Sequence, residues 1–190
     1  MNPYGKWKYS ERNDNDVEKN ILKEAFDKGN FSKVREYLRD KGRDKRSREA
    51  LKELYYRVLE DARKRFGQWR SEEIVKNGAI VAAYAVVNDL RTTQIRKIIE
   101  MAKGLHIRVR TKQATDEEMK KQIKDEALRM NILMAYYAGK NRSVLPIQEV
   151  LEPILNWVSE DNNATPENFE KVYMFFETIV AYHKYFGGKE

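Results

Sequence analysis

From Asp16 onward, apolar residues recur at three- and four-residue steps, and glycine or a polar capping residue interrupts nearly every run. That spacing lays apolar side chains along one stripe of an α-helix and leaves little from which to build a sheet. Val17, Ile21, Leu22 and Ala25 make the first stripe, which ends near Gly29. Asn30 is placed to cap a short second helix with Phe31, Val34 and Leu38 inward, closed by Gly42. Lys41–Arg48, KGRDKRSR, reads as a basic connector. A longer helix follows through Leu51, Leu54, Tyr55, Val58, Leu59 and Ala62 to Phe66. Ser71 is expected to cap the next, whose core carries Ile74, Val75, Ile80, Val81 and Tyr84 up to Leu90. Gly78 weakens the middle of that helix by up to ~1 kcal/mol relative to alanine.

Thr92 or Thr93 opens a further helix with Ile95, Ile98, Ile99 and Ala102 on one face, ended by Gly104. LHIRVRTK, residues 105–112, alternates apolar and basic residues and reads as a short strand or an extended loop; with no ladder partner in sight, loop is the expectation. Thr115 and Glu118 form a T-x-x-E capping box that starts a helix from Asp116 to Tyr137, with Gly139 as its stop. Ser143 begins another, built on Leu145, Val150, Leu151, Ile154, Leu155 and Val158, in which Pro153 predicts a kink or a break. Thr165-Pro166 is a cap followed by proline at the first helical position. The last helix buries Phe169, Val172, Tyr173, Phe176, Ile179 and Val180 and ends at Gly187-Gly188. The expected fold is all-α: a compact bundle of about five to seven helices without significant sheet. Residues 1–15, polar and aperiodic, are expected to be a flexible arm, and residues 16–190 a single helical-bundle domain.

Several classes of chemistry lack their residues. The chain has no cysteine, which excludes disulfides, thiolate metal sites and thiol catalysis. Its two histidines, His106 and His183, show no metal-ligand spacing, and both phosphate-cradling glycine motifs are missing. Glu72-Glu73, Glu117-Glu118 and Glu160-Asp161 read as helix-start or surface carboxylates, without the clefted setting that shifts a pKa. His183, on the edge of an apolar stripe, reads as a packed, hydrogen-bonded residue; His106, among basic residues, is either idle or a phosphate or base contact. No enzyme, cofactor or metal is expected. No apolar run reaches the ~20 residues that span a bilayer, and the start of the chain has no hydrophobic stretch, so a cytoplasmic location is expected.

Charge is the positive clue. Lys and Arg number 37 against 30 Asp and Glu, a net +7. Residues 1–114 hold 28 of these bases and 17 of the acids, so the first part is basic and residues 115–190 are mildly acidic. A positive half favours an acidic partner. The segment with the clearest geometry contains Arg96, Lys97, Lys103, Arg108, Arg110 and Lys112 against one acid, Glu100. Arg96 and Lys103 share an outward helix face, and Arg108, Arg110 and Lys112 share one face if their segment is extended. Such a strip can follow a phosphate backbone without reading bases. The competing reading makes Arg96–Glu100 an i,i+4 surface pair and the rest solvated loop. The connector, with Arg46 and Arg48, and the corner Lys140-Asn141-Arg142 are further candidates. Tyrosines such as Tyr136 and Tyr137 at helical spacing read as core more readily than as base-stacking platforms.

Three blocks then carry a resemblance. FETIVAYHKYFGGK, Phe176–Lys189, closely resembles the C-terminal signature of the small subunit of type III-A CRISPR effector (Csm) complexes. TTQIRKIIE, Thr92–Glu100, is similar to that family's Ser/Thr-Gln-Ile-Arg-Lys helix start, and ILMAYYAGKNR, Ile132–Arg142, to its tyrosine–alanine–glycine–basic block. The likeness covers roughly residues 72–190. The family often has an aromatic residue where Ile98 or Ile99 stands and an arginine where Lys140 stands. Type III-B small subunits share the helical build, but the Ala-Tyr-His-Lys ending favours III-A. The resemblance implies a helical, non-catalytic subunit that stacks head to tail beside the backbone filament holding the CRISPR RNA, and lines the groove occupied by target RNA. Its implied partners are target RNA, CRISPR RNA, the backbone subunits and the large polymerase-like subunit, in antiviral defence; a lone copy is open to a symmetric dimer. Read from the residues alone, a helical protein–protein adaptor without RNA binding stays open beside it.

Overall fold

The computed structural model describes residues 17–41, 44–96, 100, 103 and 115–189. Every regular element among them is helical, in agreement with the all-α expectation. Helix α1 spans 17–27, α2 Phe31–Lys41, α3 Lys45–Arg65 and α4 Ser71–Val87. Helix α5 opens at 92–96, and α6 (Asp116–Lys140), α7 (Leu145–Val158) and α8 (Pro166–Tyr185) complete the set. Short 3-10 turns lie at Phe66–Gln68 and Arg142–Val144. The arm at 1–15, LHIRVRTK, and Ile98, Ile99 and Ala102 lie outside the described residues.

The core is organised around α4. Every residue from Asn77 to Ala83 is buried, so this helix is enclosed on all sides, as expected of a helix without a polar face. It packs chiefly on α8, with α3 and α7 on its flanks. Gly78 makes the α8 contact possible. A Cβ there would lie 2.7 Å from Cγ2 and 2.9 Å from Cβ of Thr178, inside any real packing distance. The residue that reads as a weak point in an isolated helix is thus where two backbones approach closely. Thr178 is itself fixed, its hydroxyl donating to the Met174 carbonyl at 2.8 Å.

Aromatic rings lock the helix ends. Phe66 and Trp69 meet edge to face at 5.1 Å, and each also contacts Phe175, while Trp157 reaches Phe66 at 5.4 Å. The Trp69 indole N–H donates to Asp61 at 2.8 Å, which satisfies its buried polar atom. Tyr55 stacks on Tyr84 at 4.5 Å, with its hydroxyl beside the Pro146 carbonyl and the Glu149 carboxylate. Phe31 of α2 lies 4.5 Å from Tyr182 of α8.

Several boundaries differ from expectation. Helix α3 begins at Lys45, because Asp44 caps it by accepting the Ser47 N–H at 2.6 Å; the second half of the basic connector is therefore helical. Arg70, not Ser71, is the cap of α4, and its backbone N–H donates to Glu73. Helix α6 runs through Gly139 to Lys140, since a mid-helix glycine costs too little to end an otherwise well-packed helix. Helix α7 is not broken at Pro153, and it starts at Leu145 after the 3-10 turn that holds Ser143. Val17 is 57% exposed, whereas Phe26, one turn after Leu22, is buried. Tyr173 and Val180 are half-buried because Phe175 takes the inner position on α8. The caps at Thr115 and Thr165 stand as read, accepting from the Glu118 and Asn168 amides respectively.

Three helix ends close the same way. At Gly29 and Gly187, both with positive φ, the next residue's N–H returns to a carbonyl five residues back. Asp89 (φ 60°) does so at the end of α4, where Leu90 N–H reaches the Ala85 carbonyl.

The two helical glycines, Gly78 and Gly139, should respond oppositely to alanine. Gly78→Ala is expected to lower the unfolding free energy by about 1–3 kcal/mol through overpacking. Gly139→Ala, where nothing lies within 4 Å of an added Cβ, is expected to raise it by about 0.5–1 kcal/mol. Urea unfolding of the two variants beside the parent checks both; equal effects would contradict the close approach at Gly78.

Candidate nucleic-acid interface

The start of α5 is held by the C-terminal tail and by the α6–α7 corner. Beyond α8, Gly188 lies flat on His183: a Cβ there would sit 2.1 Å from the imidazole. His183 is fully buried, as its position on the stripe suggests, and its Nε2–H donates to the Leu90 carbonyl at 2.9 Å. The tail returns this support to α5, since the Lys189 carbonyl accepts the Thr92 N–H at 2.7 Å and the Gly188 carbonyl accepts the Thr92 hydroxyl at 3.3 Å. On the other side, Gln94 Oε1 accepts the Arg91 N–H at 3.1 Å and the Ser143 hydroxyl at 3.2 Å. Gln94 therefore ties the helix that carries Arg96 to the corner that carries Arg142.

These contacts gather part of the expected cation set. Arg96, Lys103 and the single acid Glu100 line a cleft of about 580 Å³ between α5 and α8, together with Lys184 and Tyr185 and the apolar Ile95, Val180 and Ala181. Arg96, Lys103 and Arg142 are exposed, and among the described residues none has an anionic partner; the expected alternative, an Arg96–Glu100 pair, is not formed. Lys140 stands over the Tyr136 ring, 4.7 Å from its centroid, and its hydrogen bond to Tyr136 holds the ammonium pKa above the usual lysine range. Tyr136 is 54% exposed, so this tyrosine is not core. Lys97, Arg108, Arg110 and Lys112 lie outside the described residues.

The connector behaves differently. Arg48 pairs with Asp89 at 3.7 Å, and Asp89 also holds Lys189 at 3.4 Å. Arg46 is exposed and also engaged. Along α3, Lys45, Arg57, Arg63, Lys64 and Arg65 all meet carboxylates. The bases of α3 are thus largely paired with carboxylates, while one group of exposed cations without such partners lies at α5, the adjoining face of α8 and the α6–α7 corner; Lys33, Lys52, Arg70 and Lys121 are open elsewhere on the surface. Arg91, Lys184, and Tyr185 with Arg35 5.0 Å from its ring centroid, belong to this region and were not among the sequence candidates. Lys184 sits inside the YHKY signature, but only the packing of α8 beside α5 brings it to Arg96.

Among the described residues there is no group of three or more His, Asp or Glu able to hold a metal ion, and no helix long and apolar enough to cross a membrane.

The fold and these side chains define a small helical bundle with a basic, partly apolar cleft at one edge. The family model for Csm2 Type III-A matches residues 68–189, which include every residue lining the cleft. The chain belongs to this family, and is a small subunit of type III-A CRISPR (Csm) complexes with other Csm subunits as its partners. No curated protein matches the chain.

If the tail positions α5, Gly188→Ala must lift it from His183. The Thr92 amide is then expected to exchange with deuterium at least about tenfold faster, as a lost hydrogen bond of ~1.4 kcal/mol requires. Unchanged protection of Thr92, read by hydrogen-exchange mass spectrometry or NMR, would remove the tail from the account of the site.

Proposed function

We propose that the chain is a non-catalytic RNA-supporting subunit: it lines the groove for target RNA and CRISPR RNA with open cations and stacks head to tail with further copies, in the cytoplasm, as part of antiviral defence. In this reading residues 16–190 act as one helical unit, with residues 1–15 an arm. The observation that carries it is the set of exposed cations without carboxylate partners around α5 and the α6–α7 corner, in a chain whose other cations are mostly paired. An open guanidinium needs no internal ion pair broken before it meets a phosphate. The apolar cleft floor beside Tyr185 offers a surface on which bases rest, while the rim meets the backbone. Lys97, Arg108, Arg110 and Lys112 extend the same strip in sequence. Arg96, Lys103, Lys140 and Arg142 are its core, with Arg46 and Arg48 as lesser contributors because Arg48 already pairs with Asp89. Sequence preference is expected to be weak, since phosphate contacts carry no base information.

If each copy neutralises ~3–5 phosphates of single-stranded RNA, log affinity falls with log salt at a slope of about −2 to −3.5. Replacing Arg96 and Lys97 together by alanine is expected to weaken binding evenly across sequences and flatten the slope by about 1.4. Filter binding at several salt concentrations measures both. An unchanged slope in the double variant would remove this patch, and absence of binding by the parent at low salt would favour a protein–protein adaptor.

A further inference from the structure

We propose that a hollow between α1, α3 and α4 binds the adenine ring of a nucleotide, read by the buried carboxamide of Asn77. This site shares no lining residue with the α5–α8 cleft and does not depend on RNA binding there.

Asn77 is the exception on α4. It is only 6% exposed, and every residue after it as far as Ala83 is apolar or glycine. Its side chain has no hydrogen-bond partner among the described residues. Buried amides are as a rule hydrogen-bonded, so one left open calls for a partner from outside the chain. Asn77 lines a hollow of about 230 Å³, whose apolar walls are the buried Phe26 of α1, Leu54 and Val58 of α3, and Ile80 of α4. Most of the lining precedes residue 68, where the family match begins, so the hollow draws mainly on the part of the chain outside that match.

Size, hydrogen bonding and charge select the ligand. The hollow is smaller than the ~300–1,000 Å³ of pockets that enclose a whole ligand, so it takes one flat ring system and leaves the rest outside. A carboxamide presents an acceptor oxygen beside an N–H2 donor. The N7–N6 edge of adenine offers the matching acceptor and donor, whereas guanine turns two acceptors, N7 and O6, to the same group. Three cations, Lys23, Arg57 and Lys76, line the hollow with two acids, Asp27 and Asp61, a net positive set. Both acids are engaged: Asp27 holds Lys23 at 2.6 Å and Lys76 at 3.3 Å, and Asp61 accepts from the Trp69 indole and from Arg65. Lys76 and Arg57 each commit an N–H, to Asp27 and Glu53, and keep further donors for a phosphate. The adenine ring can arrive on a free nucleotide or within an RNA strand, and the same carboxamide reads both.

Titration of the isotope-labelled protein with AMP, followed by NMR, is expected to shift the Asn77 side-chain N–H2 resonances and to saturate. GMP is expected to bind at least about tenfold more weakly, the discrimination of one matched base edge. Asn77→Leu keeps the side chain's size without its polar atoms; it is expected to melt no lower than the parent and to lose the preference for AMP. Lys76→Ala should bring the affinity for AMP down towards that for adenosine. Binding of oligo(A) and oligo(U) to the parent and to Asn77→Leu separates the sources: a loss for oligo(A) but not oligo(U) assigns the site to RNA, and a loss for AMP alone assigns it to the mononucleotide. Absence of an AMP shift, equal binding of AMP and GMP, or AMP binding unaffected by Asn77→Leu would overturn the site and leave Asn77 merely hydrated. An Asn77→Leu variant that fails to fold would overturn it too, since the carboxamide would then be bonded within the protein. AMP binding is expected to persist when Arg96 and Lys97 are both replaced by alanine; its loss there would move the nucleotide to the cleft and overturn the assignment to Asn77.

Discussion

The close approach of α4 and α8 at Gly78 and Thr178 sets the geometry of the molecule. Because a glycine faces a β-branched side chain there, the two helices pack nearer than larger residues would allow. That leaves α4 enclosed and places the C-terminal end of α8 beside the start of α5. From that position His183 reaches the Leu90 carbonyl, the tail folds over its ring, and the Lys189 carbonyl meets Thr92. A packing decision in the core thus ends, through a short run of hydrogen bonds, in the placement of Arg96.

Charge is distributed by a second rule. Helix α3 faces solvent over much of its length, and its bases alternate with acids at three- and four-residue steps, so most of them find a carboxylate on their own helix. Exposed pairs of this kind add little stability, about 0–1 kcal/mol each. Their consequence is electrostatic: they cancel the field of the basic first half except where acids are scarce. The stretch from Thr92 to Lys112 has one acid, Glu100, and the corner Lys140–Arg142 has none. Composition sets the total charge, but the local supply of carboxylates decides where that charge stays open.

What was legible in the chain follows from how local each determinant is. The Thr115 capping box and the Thr165-Pro166 start depend on neighbours within a turn, and both stand in the structure, as do most apolar stripes among the described residues apart from the exposed Val17 and the half-buried Tyr173 and Val180. His183 as a packed residue followed from its place on a stripe, and the structure adds the carbonyl that holds it. Gly78 and Gly139 misled in opposite ways, because a glycine's effect depends on what faces it from another helix: Thr178 in one case, nothing in the other. The strained turn at Asp89 was unreadable for a related reason, since Arg48 and Lys189 reach its carboxylate from elements far away in sequence. The cleft was half legible: Arg96 and Lys103 stood out as a basic helix face, but Lys184 and Tyr185 join them only through the packing of α8.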